Sequence, residues 1–253
     1  MLLYTPLEQF QILSFFSVNL FYLDFSFANI TLVTVLVLVF LGLFVSLLSS
    51  YDQTLYVVPN NWQIVLETLY DVIAQLLFDN INKKGELYFP FIMTIFLFIM
   101  LSNLIGLVPY SFTITSHIII TFTLSLAIFI GVNIISISIY KFKMLSLFIP
   151  ANTSIGLALL LVPIEFISYI FKPISLGVRL FANLMAGHTL LKVIVGFSWT
   201  MVLLNNVILS IIHILPLLIL ILLFGLELGV ALIQAYVFTI LSCIYLNESI
   251  NLH

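Results

Sequence analysis

Charge is what this sequence has least of. Only 7% of its 253 residues are Asp, Glu, Lys or Arg, where soluble domains carry roughly 25%. A chain so poor in charge cannot coat a water-facing surface, so a soluble globular domain is excluded. Its few basic residues form no patch, which excludes nucleic acid as a partner. The single cysteine, Cys243, stands in an apolar run with no partner for an internal disulfide, and a small buried hydrophobe is expected there. The opening MLLYTPLEQF lacks a basic stretch followed by an apolar one, so a secretory signal is not expected. Nucleotide loops, nucleophile motifs and metal-ligand clusters are lacking as well. No cofactor is expected, and the chain is not expected to hydrolyse anything by itself. With no repeat, low-complexity tract or linker, residues 1–253 read as one membrane domain.

What is abundant is apolar surface: 63% of residues are hydrophobic and the mean hydropathy is +1.32. The solvent for most of the chain is therefore lipid, in which only helices and closed barrels satisfy every backbone group. Barrel strands alternate polar and apolar positions. The apolar runs here are continuous, so an all-α polytopic membrane protein is expected.

Residues 1–27 are aromatic and weakly polar and read as an interfacial lead-in. Residues 28–49 suffice for one span. Residues 61–80 differ in kind. Glu67, Asp71, Gln75 and Asp79 recur every four positions and make one polar stripe. Trp62, Val65, Leu66, Leu69, Val72, Ile73 and Leu76 fill the other side. This predicts an amphipathic helix at the membrane surface, ended by Lys83, Lys84 and Gly85. Residues 88–108, stopped by Pro109, and 117–140, stopped by Lys141 and Lys143, are two further spans. The turn between them, PYSFTITS, is uncharged. The positive-inside rule then puts both lysine pairs on one side, as two crossings require.

Two readings fit the remainder. Hydropathy alone cuts it into short spans near 156–171, 185–204, 207–224 and 228–246. The alternative is two long helices, 153–201 and 206–246, hinged at Asn205-Asn206. At 1.5 Å per residue each is about 60–70 Å long, against a hydrocarbon layer of about 30 Å. Such helices lie steeply tilted and bent, with Pro163, Pro173 and Pro216 as kink sites. The stretch FGLELGVALIQAYVF has no turn cluster, which weakens a cut beside Glu227, but the residues leave both readings open.

Ionisable residues inside apolar sequence are costly, about 2.5–3.5 kcal/mol for a central Arg on insertion scales, and each is a functional candidate. Four stand out: Glu165, Arg179, His188 and Glu227. On a helix Ser175, Ala182, Asn183 and Ala186 share the Arg179 face, while Leu184 points away from it. Most of these neighbours are small, which lets another helix approach closely. A snorkelling Arg would leave them unexplained. His188 lies about 13 Å further along the axis and half a turn round. It faces neighbouring helices of the same chain, where Glu227 is the carboxylate for it to meet. Such a pair passes protons near neutral pH. Gly225 and Gly229 flank Glu227 and leave room for another backbone or water, and Gln234 shares nearly its face. A metal site is not expected, since Lys192 rather than a ligand stands at i+4 from His188. Glu165 precedes Arg179 by 14 residues. Glu248 follows the last apolar run, on the Glu165 side if the helices are long, and taken alone reads as a solvated helix end. His117 reads as interfacial, and His213 as a candidate for an inlet path.

The stretch ISLGVRLFANLMAGH, from Ile174 to His188, resembles subunit a of F-type ATP synthases. So does the C-terminal GLELGVALIQAYVFTILSCIYLNESINLH. TPLEQF, NLIGLVPYSFTITSH and VPNNWQ are similar to the mitochondrial form, as is the pairing of His188 with Glu227. The resemblance covers nearly the whole chain. It implies about five transmembrane helices plus one amphipathic surface helix, the last two long and tilted as a hairpin around a ring of c subunits. It implies two offset half-channels: uptake past His188 and Glu227, with Asn183 and Gln234 on the proton path, and release past Glu165 and Glu248. Arg179 stands between them, facing the ring. It further implies a peripheral stalk and other membrane subunits as partners, and the mitochondrial inner membrane as location. The competing class, a stand-alone secondary transporter or a respiratory-chain membrane subunit, does not match as well: transporters usually show paired repeats, and none is present.

Overall fold

A computed structural model describes residues 7–17, 19–20, 23–24, 26–51, 61–108, 111–141, 155–203 and 212–251. The first half of VPNNWQ, Pro109, Lys143 and the Asn205-Asn206 hinge lie outside the described residues, as do the side chains of Lys83 and Lys84. Among the described residues the longer helices are α1 Asn29–Tyr51, α2 Asn61–Ile81, α3 Phe89–Gly106, α4 Ile118–Tyr140, α5 Ile155–Leu203 and α6 Ile214–Ile250. Five are long and apolar enough to cross a membrane; the amphipathic α2 is not among them.

Hydroxyl groups sit inside these apolar helices because each can bond back into its own helix. Ser102 Oγ donates to the Ile99 carbonyl at 2.9 Å, Thr123 Oγ1 to Ile120 at 2.9 Å and Ser138 Oγ to Ile135 at 2.7 Å. This removes the cost of an unpaired polar group in hydrocarbon.

The region read as an interfacial lead-in contains short strands. Short strands Ser14–Phe16 and Phe27–Ala28 pair antiparallel, with Ser14 opposite Ala28 and Phe16 opposite Phe27. Asn29 fixes this arrangement. Its Oδ1 accepts from the Leu13 N–H at 3.2 Å and its Nδ2 donates to the Gln11 carbonyl at 3.0 Å. Thr31 Oγ1 accepts from the Ala28 N–H at 3.1 Å, which satisfies a donor where α1 begins.

Along α2 the stripe of Glu67, Asp71, Gln75 and Asp79 is exposed, and Leu66, Ile73, Leu76 and Leu77 are buried. Val65 and Val72, also on the apolar side, are about half exposed in this chain, at 49% and 48%. They flank the buried face rather than lie on it. The helix ends at Ile81, and a 3-10 segment, Asn82–Tyr88, leads into α3. The uncharged turn after α3 is folded in: Phe112, Thr113, Ile114, Thr115 and Ser116 are all buried. α4 stops at Lys141, whose φ of 50° is the left-handed conformation that closes many helices.

Of the two readings open for the C-terminal half, the structure has the long helices. α5 runs unbroken for 49 residues through Pro163 and Pro173, and α6 for 37 residues; a span needs about 20. Pro216 stands four residues after helical Ile212. His213 is a turn residue and α6 starts at Ile214, so Pro216 sits in the first turn, where its missing N–H costs nothing. At Gly177 an added Cβ would lie 2.8 Å from Ser125 Oγ and 3.1 Å from the Phe122 Cα. Glycine there lets α5 press against the backbone of α4.

The described residues pack as two compact units. One draws on Met1–Phe44, Phe98–His117 and Leu180–Ala235, the other on Val45–Leu97, Ile118–Arg179 and Tyr236–His253.

Candidate functional site

The first unit holds a buried acid–base pair. His188 Nδ1 lies 3.6 Å from Glu227 Oε1, and the two side chains are 13% and 5% exposed. Neither oxygen of Glu227, nor His188 Nε2, has a hydrogen-bond donor or acceptor among the described residues. Buried polar groups are almost always bonded, so these unfilled positions mark the pair as a candidate site. Phe10, in the 3-10 segment Glu8–Phe10, packs edge-on against the His188 ring with centroids 6.4 Å apart. The lead-in residue thus helps cover the pair.

Gly225 and Gly229 leave open space beside Glu227, and a third glycine makes the close approach to its carboxylate. At Gly225 and Gly229 an added Cβ would meet nothing within 4 Å among the described residues. At Gly187 it would lie 2.6 Å from Glu227 Oε1 and 3.0 Å from Cδ. With glycine before His188 the carboxylate sits where any larger residue would push it aside. The only signal for this was its place in the motif, AGH.

Two amides lie in the same unit. Asn183 Nδ2 donates to Gln234 Oε1 at 3.0 Å, and Gln234 is 5% exposed. Asn103, on α3, donates from Nδ2 to the Ala231 carbonyl at 3.2 Å, leaving its own buried Oδ1 without a partner among the described residues. Sequence reasoning missed Asn103. A buried Asn inside the NLIGLVP motif was the available signal.

Around Arg179 the sides of α5 differ sharply. Ser175, Arg179, Ala182, Asn183 and Ala186 are exposed in this chain. Leu176, Leu180 and Leu184 are buried, at 2%, 1% and 2% exposure. No carboxylate forms an ion pair with Arg179 among the described residues. Arg179 is thus an exposed cation on a face of small residues, without an ion-pair partner among the described residues.

In the second unit Glu248 is not a bare solvated end. It forms an ion pair with Lys172, whose ammonium lies over the rings of Tyr169 and Tyr245 at 5.5 and 5.3 Å. Glu165 and Glu248 are not brought into contact; no bond between them occurs among the described residues. His117 stacks on Phe112 with centroids 5.0 Å apart. The His213 carbonyl accepts from the Leu217 N–H at the start of α6. Cys243 is buried and unpaired.

The first unit thus holds an imidazole, a carboxylate and amides in apolar surroundings, and the second a guanidinium and a lysine–glutamate pair. Residues 30–247 match a family described as ATP synthase A chain. The chain is 49% identical over 249 residues to the ATP synthase subunit a of Chondrus crispus, covering 98% of this chain and 97% of that protein. It is 55% identical over 251 residues to the ATP synthase subunit a of Pylaiella littoralis, with 98% and 99% covered. For that of Brassica napus the identity is 45% over 253 residues, with 98% and 97% covered.

Proposed function

We propose a proton route on the premise that this chain belongs to the ATP synthase A chain family: it is the proton-translocating stator subunit of an F-type ATP synthase. In our reading two half-channels serve carboxylates carried on a rotating ring of c subunits. On the uptake side the proton passes His188 and Glu227, with Asn183 and Gln234 along the path. On the release side it leaves past Glu165 and Glu248. The chain does no hydrolysis itself. It works beside the peripheral stalk and other membrane subunits, as one multi-pass domain of the mitochondrial inner membrane.

The observation that carries this reading is Arg179, an exposed cation without a carboxylate partner among the described residues, on a face of alanine, serine and asparagine. Arginine keeps its proton at any accessible pH. It therefore acts as a fixed positive field that favours the ionised form of a passing ring carboxylate. It also blocks direct proton hopping between the half-channels. Lysine loses its proton far more readily when buried and would serve poorly. The force on the proton is the membrane potential, about 2.3 kcal/mol per charge for each 100 mV, together with the pH gradient.

The test is Arg179→Ala. The complex is expected to assemble and its soluble head to hydrolyse ATP, while ATP-driven proton pumping in reconstituted vesicles is abolished. Coupled pumping at the wild-type rate would overturn the assignment.

A further inference from the structure

We propose that Lys172 is a positioning residue that holds the Glu248 carboxylate on the release side and keeps it off Arg179. This rests on the release route proposed above and adds a residue to it.

The ammonium of Lys172 is held from three directions, and each support is itself fixed. Glu248 Oε2 pairs with it directly. The Tyr169 ring lies 5.5 Å away; its hydroxyl donates to Asn133 Oδ1 on α4, and its flank rests on Phe129 with centroids 4.9 Å apart. Asn133 is in turn anchored, donating from Nδ2 to the Phe129 carbonyl at 2.9 Å. The Tyr245 ring lies 5.3 Å away. Tyr245 precedes Glu248 by three residues on α6, so ring and carboxylate rise from one helix face. A lysine that merely reached for solvent would need none of this. Two ring faces and a carboxylate around one ammonium make a site for a fixed cation.

Position gives that site its meaning. Lys172 and Arg179 are seven residues apart on α5, so they share a face about 10.5 Å apart along the axis. Glu165 stands a further seven residues back, on the same face. Glu248 pairs with Lys172, two turns before Arg179 on α5, so without Lys172 the next cation on that helix face would be Arg179. Were it to pair with Arg179, the fixed cation would be neutralised and no longer available to the ring. Lys172, clamped between the tyrosines, decides the choice.

The experiment uses the whole synthase with Lys172→Met, Lys172→Arg, Glu248→Gln and the double variant Lys172→Met/Glu248→Gln. ATP-driven proton pumping is read per membrane-bound head, which corrects for assembly. Lys172→Met is expected to lose about fivefold, the scale of a partly exposed ion pair, and Lys172→Arg to retain most of the rate. In the Glu248→Gln background, Lys172→Met is expected to change nothing further, because it acts through that carboxylate. Equal losses in both backgrounds would overturn the proposal, and so would a wild-type rate in Lys172→Met alongside a defective Glu248→Gln. A wild-type rate in Glu248→Gln would instead sink the release route itself.

Discussion

Replacing Gly187 by alanine adds one methyl group where the structure has no room. The new Cβ would sit 2.6 Å from Glu227 Oε1, where ordinary contact begins at 3.4 Å. The carboxylate must withdraw by about 0.8 Å, or α5 must move away from α6. Overpacking of this kind costs about 1–3 kcal/mol, too little to prevent folding of a large membrane complex. Its effect on transfer is larger, because Glu227 is held 3.6 Å from His188 Nδ1 by the packing that is being disturbed. A misplacement of about 1 Å in a reacting pair can lower a rate on the order of 100-fold. ATP-driven acidification of inverted membrane vesicles, normalised to bound head, is therefore expected to fall by one to two powers of ten. Gly131→Ala is the control: an added Cβ meets nothing within 4 Å there, and alanine favours a helix. It should pump normally. Combining Gly187→Ala with Glu227→Asp, whose side chain is one methylene shorter, should relieve the clash and recover part of the loss beyond what Glu227→Asp alone retains. If Gly187→Ala pumps at the wild-type rate, the carboxylate is not confined as described and the geometry of the pair is irrelevant to transport.

Three further outcomes are expected. His188→Ala and Glu227→Gln should each slow pumping strongly, and the double variant should cost far less than the product of the two losses, since neighbours in one relay are not additive; multiplicative losses in initial-rate assays would show that they act separately. Cysteines at Ala182 or Ala186 should crosslink to cysteines on the outer helix of a c subunit, while one at the buried Leu184, 2% exposed, should not; the reverse pattern on a gel would mean that the Arg179 face is not the rotor face. Phenylalanine at Ala186 should jam rotation without blocking assembly, whereas at Leu184 it should overpack the buried side and lower the amount of assembled complex, which native electrophoresis can separate from a rate defect.

Much of the fold was legible because lipid imposes simple rules. A chain with 7% charge must be helical in the bilayer, and α2 announced itself by a polar residue at every fourth position. The helix faces were legible too. The 3.6-residue period places Ala182 and Ala186 with Arg179 and sends Leu184 elsewhere, as the burial of Leu184 shows. How much of the apolar side of α2 this chain covers was not legible, because a period locates a residue on the circumference but does not say how wide the covered arc is.

What the sequence by itself determined is the solvent, the helical class, the rarity of Arg179, His188 and Glu227 in apolar surroundings, and the motif by which the family is recognised. Composition and short-range period carry all of these, since each depends on residues within a few turns of one another. Tertiary structure alone decided which residues meet. Gly187 rather than Gly225 or Gly229 admits the Glu227 carboxylate, Asn103 reaches the Ala231 carbonyl 128 residues away, and Glu248 pairs with Lys172, 76 residues away. Such contacts are set by how closely two helices pack and by their rotation about their axes. A displacement of about 1 Å, less than one residue's rise along a helix, is enough to remake them.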